Sequence, residues 1–516
     1  MAMVANTGMG CGCCSRRRFL AGCGGLALAP LVGGCAATAA SQEEKVRIRT
    51  VYSLHAPVQP GPDWPNKGFD FNPVMERFNS ELAKRCPGFE FVSSMAANDK
   101  DARKILEQDA AAPVDGYLVF QLNCWNRVVQ AFVPAGKPVL YVDFQYAGSG
   151  GFLVYTAGFL RKPTPNLGFV ASSRIEDLAE AVKGFAAAKK GGAGFDFAAA
   201  TARARIESTP KRGDLACKPD SLKTAPLEEV LRRLKESKLL AVRDNKKSGP
   251  DKPILDIAVE NVTFAEVNDA WKAADKEASK AVADRWQKNA KVVEGVSRET
   301  LETSAAMYLG MKEVLKKHGA NAITINCLGG FYGGHIHAYP CLGFHELCNE
   351  GLVGACECDV SSTVTQLLMA AMTDGRTGFI SDPVIDTAKR QIIYAHCVAP
   401  NRAFGPRGEA NPYEILTHSE DRQGASLRSL LPEGYMTTTL EVRGSRILFH
   451  QAKSVGNDPN DRACRTKLCG EPVGDLEKLF TMWDQWGWHR VTCYGDLKAP
   501  VEEFAKAKEL TIVPEA

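Results

Sequence analysis

The sequence predicts an α/β protein with two parallel-sheet units and a β-rich C-terminal domain, and three observations support this. Strand-like and helix-like segments alternate from residue 45 to residue 174, and a second alternation continues to residue 372. Such alternation is typical of parallel sheets covered by helices. From residue 373 onward, β-branched runs dominate, which predicts a mostly antiparallel domain. We therefore expect domains at residues 45–174, 175–372 and 373–516.

The composition is that of a globular protein. Of the 516 residues, 45% are hydrophobic and 24% are charged. This composition predicts that most of the chain is neither disordered nor embedded in a membrane. The 63 basic and 60 acidic residues leave a net charge of only +3, and no long basic stripe is present. We therefore expect no nucleic-acid partner.

Residues 1–40 differ from the rest of the chain and predict an export signal. The segment SRRRFL places Arg16, Arg17 and Phe19 in the twin-arginine pattern, and a glycine-rich apolar run follows. That run is too short and too weakly apolar to span a membrane permanently, so the segment is typical of a Tat signal peptide. We expect the mature protein in the periplasm or anchored to a membrane.

The end of this signal contains two alternative processing sites. The segment VGGC, ending at Cys35, resembles a lipobox, in which the cysteine is lipidated and becomes the new N-terminus. The small residues ATA at 37–39 form a rival signal-peptidase site. Membrane contact is expected only through a lipid on Cys35.

The first unit is predicted to contain four strands and two helices. The strands are KVRIRTVYS, FEFVSS, DGYLVFQL and KPVLYVDF, and the helices cover residues 73–85 and 100–111. His55, Asn123 and Asp143 stand at strand ends that face a possible crevice, and we interpret them as structural residues rather than as substrate contacts. The AGSGG segment that follows lacks a phosphate-loop pattern, so a flexible loop is expected there.

The second unit repeats this pattern. Helices are expected at residues 227–237, 264–291 and 298–317, and strands at LLAV, residues 254–259 and AITINCL. A glycine-rich segment with His335 and His337 follows. We expect a loop that closes over a ligand rather than a metal clip, because glycine lets the backbone adopt positive φ and move.

Two acidic residues and a histidine stand at the ends of short apolar runs between residues 351 and 400. Glu357 follows GLVGAC, Asp382 follows TGFI, and His396 follows QIIYA. Side chains just past parallel strands converge in one crevice. Carboxylates and an imidazole there suit a divalent cation or a general acid–base pair. Caps or salt bridges are the structural alternative for the two acids.

The C-terminal runs TTTLEVRG, RILFHQAKSV and HRVTCYGDL alternate in the manner of antiparallel strands. His489 opens the last of these runs, directly after an aromatic segment. Most of the 17 cysteines lie within the signal or in apolar runs, where cysteine behaves as a small buried hydrophobe. Cys464 and Cys469, which are close together in a polar segment, are the best disulfide candidates.

Five motifs, NAITINC, ACECD, FISDPVID, YAHC and WHRVTCYGD, occur in an order and approximate spacing that resemble the L-fucose isomerase and L-arabinose isomerase family. The resemblance covers most of the chain from about residue 46 to 514. It implies two Rossmann-like domains followed by a β-rich domain, and an assembly of identical subunits. It also implies conversion of an aldose monosaccharide to a ketose with a divalent metal, usually Mn²⁺.

Carried over by motif, Glu357 and Asp382 match the two metal-binding carboxylates of that family, and His489 matches its C-terminal histidine ligand. His396 matches a position that is a ligand in the arabinose branch and lies near the site in the fucose branch. The two carboxylates are also the expected proton-transfer groups of an enediol mechanism, with Asp359 and His396 orienting them or contacting substrate. The rival hypothesis is an exported carbohydrate-binding lipoprotein without catalysis.

Overall fold

The computed structural model describes residues 44–516. The twin-arginine segment, the proposed lipobox at Cys35 and the rival cleavage site lie outside the described residues. Residues 45–516 form a single compact unit. No described helix combines the length and the apolar character needed to cross a membrane.

The first sheet is fully parallel, with strand order β2-β1-β3-β4-β5, as the alternation predicts. Its strands are β1 Val46–Ser53, β2 Phe89–Ala96, β3 Gly116–Gln121, β4 Val139–Asp143 and β5 Leu167–Val170. The helices are α1 Asn72–Arg85, α2 Asp99–Ala111, α3 Val129–Phe132, α4 Ser149–Leu160, α5 Ile175–Gly191 and α6 Phe197–Ser208. Alternate strand residues pack against α1 and α5 on one face and against α2 and α4 on the other.

The second sheet has the order β11-β10-β6-β8-β7, and only β7 runs antiparallel to its neighbour. The strands in this part of the chain are β6 Lys238–Val242, β7 Gly249–Ile254, β8 Ile257–Val262, β9 Val292–Glu294, β10 Ala322–Ile325 and β11 Val353–Ala355. The helices are α7 Leu227–Glu236, α8 Phe264–Ala273, α9 Lys276–Asn289, α10 Arg298–His318, α11 Cys327–Tyr332, α12 Cys341–Asn349 and α13 Val360–Thr373.

The C-terminal part contains antiparallel strands, as its β-rich composition predicts, and these strands close into a barrel, which the sequence did not predict. The remaining strands are β12 Phe379–Asp386, β13 Gln391–His396, β14 Tyr413–Leu416, β15 Ser426–Ser429, β16 Met436–Arg443, β17 Arg446–Asn457, β18 Thr466–Pro472, β19 Arg490–Tyr494 and β20 Thr511–Pro514. Short helices α14 Trp483–Trp486 and α15 Lys498–Ala507 complete the described chain. The barrel order is β16-β19-β12-β13-β18-β17, closed by the β16–β17 pairing, and β20 adds to β17 in parallel.

Three expectations for the second unit are wrong in detail. The expected strand at residues 254–259 is a hairpin, because Leu255 and Asp256 both adopt positive φ and reverse the chain. The expected helix at residues 264–291 is two helices, and the Asp275 side chain caps the second by accepting from the Ala278 N–H. The expected strand AITINCL stops at Ile325, where Asn326 caps α11.

The AGSGG segment is not a flexible loop, because α4 begins inside it at Ser149. A Cβ at Gly150 would approach the Trp488 ring to 2.6 Å, so glycine is required for the helix to pack that closely. The disulfide expected between Cys464 and Cys469 is also wrong, since both are free buried thiols. Cys464 instead accepts a hydrogen bond from the hydroxyl of Ser419.

Candidate metal centre

Three neighbouring barrel strands place three of the predicted site residues side by side. Asp382 lies within β12, opposite Ala395 of β13, and His396 is the last residue of β13. On the other side, β12 pairs with β19, which begins one residue after His489. The expectation that Asp382 follows a parallel strand is therefore wrong, because its strand continues to residue 386 and its neighbours are antiparallel.

Glu357 reaches the same place from the second sheet. It follows β11, and both Glu357 and Cys358 adopt left-handed backbone conformations, with φ of 63° and 51°. Non-glycine residues in this region cost on the order of 1–3 kcal/mol each and are commonly found at functional sites. The bend turns the Glu357 carboxylate toward the barrel and leaves Asp359 as the N-cap of α13, where its side chain accepts from the Ser362 N–H.

The side chains of Glu357, Asp382, His396 and His489 meet in one cluster, with one ligand atom from each lying within 4.8 Å of all the others. The Nε2 atom of His489 is 3.1 Å from an Asp382 oxygen and 3.3 Å from a Glu357 oxygen. The Nε2 atom of His396 is 3.8 Å from Asp382 and 3.9 Å from Glu357. All four are thus within reach of a single small cation.

Asp359 lies behind His489 rather than in the cluster. Its Oδ2 atom is 2.9 Å from Nδ1 of His489. A hydrogen on Nδ1 bound to this carboxylate leaves Nε2 directed at Glu357 and Asp382. Metal-binding histidines are commonly oriented in this way by a second carboxylate, so Asp359 lies where an orienting residue is expected.

Burial and charge act against each other in this cluster. Burial raises the pKa of Glu357, but the charge and hydrogen bond of His489 outweigh it and hold that pKa below its usual value. Asp359 is similar, since hydrogen bonding to His489 overcomes burial and lowers its pKa to about 2. For His489, burial lowers the pKa, but the surrounding carboxylates raise it well above the usual value. The cluster therefore attracts positive charge strongly.

His396 differs from His489 in the direction of its hydrogens. The backbone N–H of Cys397 donates to Nδ1 of His396 at 2.9 Å, so a neutral ring carries its hydrogen on Nε2. That Nε2 atom is buried and has no hydrogen-bond partner, although it faces both carboxylates. His396 is therefore oriented to donate a hydrogen bond into the cluster. Nε2 of His489 can instead bind a cation, which would displace the proton that the surrounding carboxylates hold there.

A cavity of about 660 Å³ opens above the cluster. Glu357, Asp382 and His489 line it, and the aromatic side chains Trp64, Trp125, Tyr332 and Trp488 form much of its wall. The remaining lining residues are His55, Pro62, Asp63, Cys124, Leu328, Gly329, Gly333 and Glu420. The cavity therefore offers apolar ring faces beside many hydrogen-bond acceptors, which is typical of small-molecule sites.

Several residues of this wall escaped sequence analysis. Asp63 and Glu420 lie in irregular segments 357 residues apart, without a motif around either. The sequence offered only one indication of this wall, which is the position of two aromatic residues. Trp488 precedes His489, and Tyr332 lies within the glycine-rich segment before His335. His55, interpreted as structural, in fact lines the cavity, whereas buried Asn123 is structural and accepts from the His55 N–H.

The glycine-rich segment behaves partly as expected. Leu328, Gly329, Tyr332 and Gly333 contact the cavity, although most of them belong to α11 rather than to a loop. His335 stacks on Phe264 at 5.8 Å between ring centroids. Among the described residues, the candidate metal cluster includes neither His335 nor His337.

No protein-family model matches the chain. A sulfoquinovose isomerase from Priestia megaterium is 25% identical over 146 residues, which cover 27% of this chain and 31% of that protein. A sulfoquinovose isomerase from Clostridium sp. (strain MSTE9) is 24% identical over 227 residues, which cover 40% of this chain and 46% of that protein. An inositol-bound solute-binding protein from Bacillus halodurans is 14% identical, covering 58% of this chain and 82% of that chain with a TM-score of 0.17, too low to bear on fold or function.

The matched segments thus span less than half the length of these curated relatives. Over those segments, the chain is distantly similar to proteins named sulfoquinovose isomerase.

Proposed function

We propose that this protein is a metal-dependent aldose–ketose isomerase that acts on a monosaccharide through an enediol. The observation that carries this proposal is the convergence of Glu357, Asp382 and His489 at the base of a cavity large enough for a sugar. The distant similarity to sugar isomerases supports the same class of reaction.

The donor set fits a divalent cation. Two carboxylates and one imidazole are ligands that a hard or borderline cation accepts, and we propose Mn²⁺. The unpartnered Nε2–H of His396 faces the same point without offering a lone pair. When bound, the cation supplies a Lewis acid that polarises neighbouring oxygens of the sugar and offsets their developing charge.

The remaining chemistry belongs to the side chains. Isomerisation removes a proton from C2 of the aldose and returns one to C1, while another proton moves between O1 and O2. We assign these two roles to Glu357 and Asp382, whose carboxylate oxygens lie 3.3 and 3.1 Å from His489 Nε2. As a carboxylate, Glu357 can accept the proton from C2. His396 donates a hydrogen bond to the oxygen side of the substrate.

Metal content and turnover test the proposal together. Purified mature protein is expected to contain about one divalent ion per site, to isomerise at least one aldose in a panel, and to lose turnover with a chelator. Restoring Mn²⁺ restores activity. Metal-free protein that binds a sugar but never isomerises it would favour the alternative of carbohydrate binding without catalysis.

Two variants separate ligand from hydrogen-bond donor. We expect His489→Ala to weaken metal binding and to recover part of its turnover in excess Mn²⁺. His396→Gln should keep its metal and lose turnover, because the amide lacks the geometry of the buried Nε2–H. Equal loss of metal in both variants would contradict the proposal that His489 binds the metal and His396 only donates a hydrogen bond.

The cellular location and the oligomeric state of the protein are separate proposals. We propose export by the Tat pathway and lipidation at Cys35. Replacing Arg16 and Arg17 by lysine should hold the precursor in the cytoplasm, and Cys35→Ala should release the protein from the membrane fraction. Unchanged export or unchanged membrane attachment would contradict the respective proposal. We also propose a homo-oligomer, which light scattering of the purified protein tests.

A further inference from the structure

The wall of the cavity is acidic beyond the metal centre. In addition to Glu357 and Asp382, the carboxylates of Asp63 and Glu420 line it. Among the lining residues that the structure describes, none is lysine or arginine. The lining groups outside the metal cluster are therefore mostly hydrogen-bond acceptors and aromatic faces.

Glu420 is built into this wall. It lies in the turn between β14 and β15, and its Oε2 atom accepts a hydrogen bond from the hydroxyl of Tyr332 at 2.8 Å. Its backbone carbonyl accepts from the Lys67 N–H at 2.8 Å. The neutral phenol of Tyr332 thus holds the carboxyl group of Glu420 in place. The carboxyl group can still accept further hydrogen bonds from a ligand in the cavity.

Asp63 forms a second acidic point on the same wall. Its Oδ2 atom is 3.0 Å from Nε2 of His55, and its Oδ1 atom accepts from the Trp64 N–H at 2.7 Å. Burial, with the nearby charges of Glu357 and Asp63, raises the pKa of Glu420 to about 7. An anion bound beside Glu420 would raise that pKa further, so its binding would be opposed either by the charge of Glu420 or by the need to protonate it.

We propose that Glu420, together with Asp63, determines the substrate class of the cavity. It takes a sugar whose far end donates hydrogen bonds, through hydroxyl or amino groups, and it rejects a sugar that carries a sulfonate or phosphate. This inference rests on the proposed isomerase function and separates the chain from the relatives named for a sulfonated sugar. A site that pairs buried polar groups with its substrate discriminates strongly against a ligand that leaves them unpaired.

An adjacent hollow could provide an alternative location for an anion. It shares His55 and Trp125 with the cavity, and Arg103 and Arg127 line it. Arg103 faces Asp99 at 3.6 Å, and both arginine and aspartate are exposed. Neither arginine lines the cavity above the metal cluster, so the experiment tests this hollow separately.

The experiment measures binding and turnover with three matched sugars in the metal-loaded protein. These are glucose, its 6-amino-6-deoxy derivative and its 6-sulfonate analogue sulfoquinovose. Wild-type protein is expected to prefer the uncharged and amino sugars over sulfoquinovose by at least about 100-fold in kcat/KM and in calorimetric affinity. Glu420→Gln should reduce that preference by about 10-fold or more, mainly through KM.

Asp421→Asn is the matched control. Asp421 is adjacent to Glu420, accepts a hydrogen bond from the hydroxyl of Tyr339 in the same way, and does not line the cavity. Its substitution should leave the preference unchanged. If Glu420→Gln fails to fold, Tyr332→Phe removes the supporting hydrogen bond and should shift the preference in the same direction.

The remaining outcomes are distinguishable. Binding that prefers uncharged sugars without any turnover supports the substrate class and contradicts the isomerase. Equal or better use of sulfoquinovose by the wild type overturns the inference. If that use is lost in Arg127→Ala, the anion site is in the neighbouring hollow and the inference is also overturned. Absence of binding by all three sugars overturns it as well.

Discussion

His489 and Arg490 are neighbours in sequence, yet they belong to two buried ionic clusters of opposite design. His489 faces the carboxylates of Glu357, Asp359 and Asp382. Arg490 is fully buried and forms an ion pair with Glu515 at 2.7 Å. Successive residues at a strand point to opposite sides, so one short segment serves both clusters.

The clusters differ in the balance of charge. Glu515 accepts from Arg490 on one side and is 2.7 Å from Nδ1 of His450 on the other, and Nε2 of His450 is 2.8 Å from the Tyr394 hydroxyl. Every group there has a partner. Around His489, three carboxylates share one imidazole, and a buried Nε2–H of His396 has none. The satisfied network stabilises the fold, whereas the acidic excess is what a bound cation would offset.

The largest effect is expected from Glu357→Gln. The change removes a ligand and a proposed base, and the loss of general acid–base catalysis alone is worth about 10²–10⁴-fold in turnover. The free energy of unfolding of metal-free protein should fall only modestly, because the change removes the charge that Glu357 shares with His489 at a partly exposed position. Turnover assays in excess Mn²⁺ and urea unfolding with chelator measure both. Retained turnover would contradict the assignment.

Glu515→Gln should show the reverse pattern. Removing one partner of a buried ion pair costs about 3–5 kcal/mol of unfolding free energy, while metal content should persist in the folded fraction. Burial raises the pKa of Glu515, but Arg490 and His450 hold it down at about 2. Its contribution to stability is therefore present above the unfolded pKa near 4.3 and is lost as pH falls through about 2.

Urea unfolding at several pH values checks this prediction. The stability difference between wild type and Glu515→Gln should be largest near neutral pH and should shrink between about pH 4 and pH 2. A difference that is independent of pH would indicate that packing, rather than the charge of Glu515, accounts for the effect.

A smaller effect is expected from Asp359→Asn. The asparagine keeps the size of the side chain and can still contact Nδ1 of His489, but it no longer stabilises charge on that ring. Loss of such an orienting carboxylate typically weakens metal affinity by about 10–100-fold. Competition with a fluorescent chelator measures it. Unchanged affinity would show that Asp359 serves only as the cap of α13.

The smallest effect is expected at an exposed ion pair on α10. Arg298 and Glu302 are 2.7 Å apart, and their side chains are 41% and 33% exposed. Such pairs contribute little to stability because water screens them. Glu302→Gln should leave both the unfolding free energy and turnover close to their wild-type values. A loss comparable to that of Glu515→Gln would break the contrast between buried and exposed pairs.

Much of the fold was predictable because it depends on local pattern. The alternation in residues 45–174 predicted the parallel first sheet, and the β-branched C-terminal runs predicted the antiparallel strands. Errors arose where a single residue decides a boundary, as Asp275 does between two helices and Asn326 does at the end of β10. The start of α4 was missed because its glycines serve a distant contact with Trp488.

By itself, the sequence determined which residue types were available for a site, namely Glu357, Asp382, His396 and His489 within short motifs. Only the tertiary structure decided that His489 is oriented by Asp359, that His396 presents a hydrogen rather than a lone pair, and that Asp63 and Glu420 complete the cavity. Local pattern reports propensity and burial, whereas these arrangements arise from strand pairing and turns between segments distant in the chain.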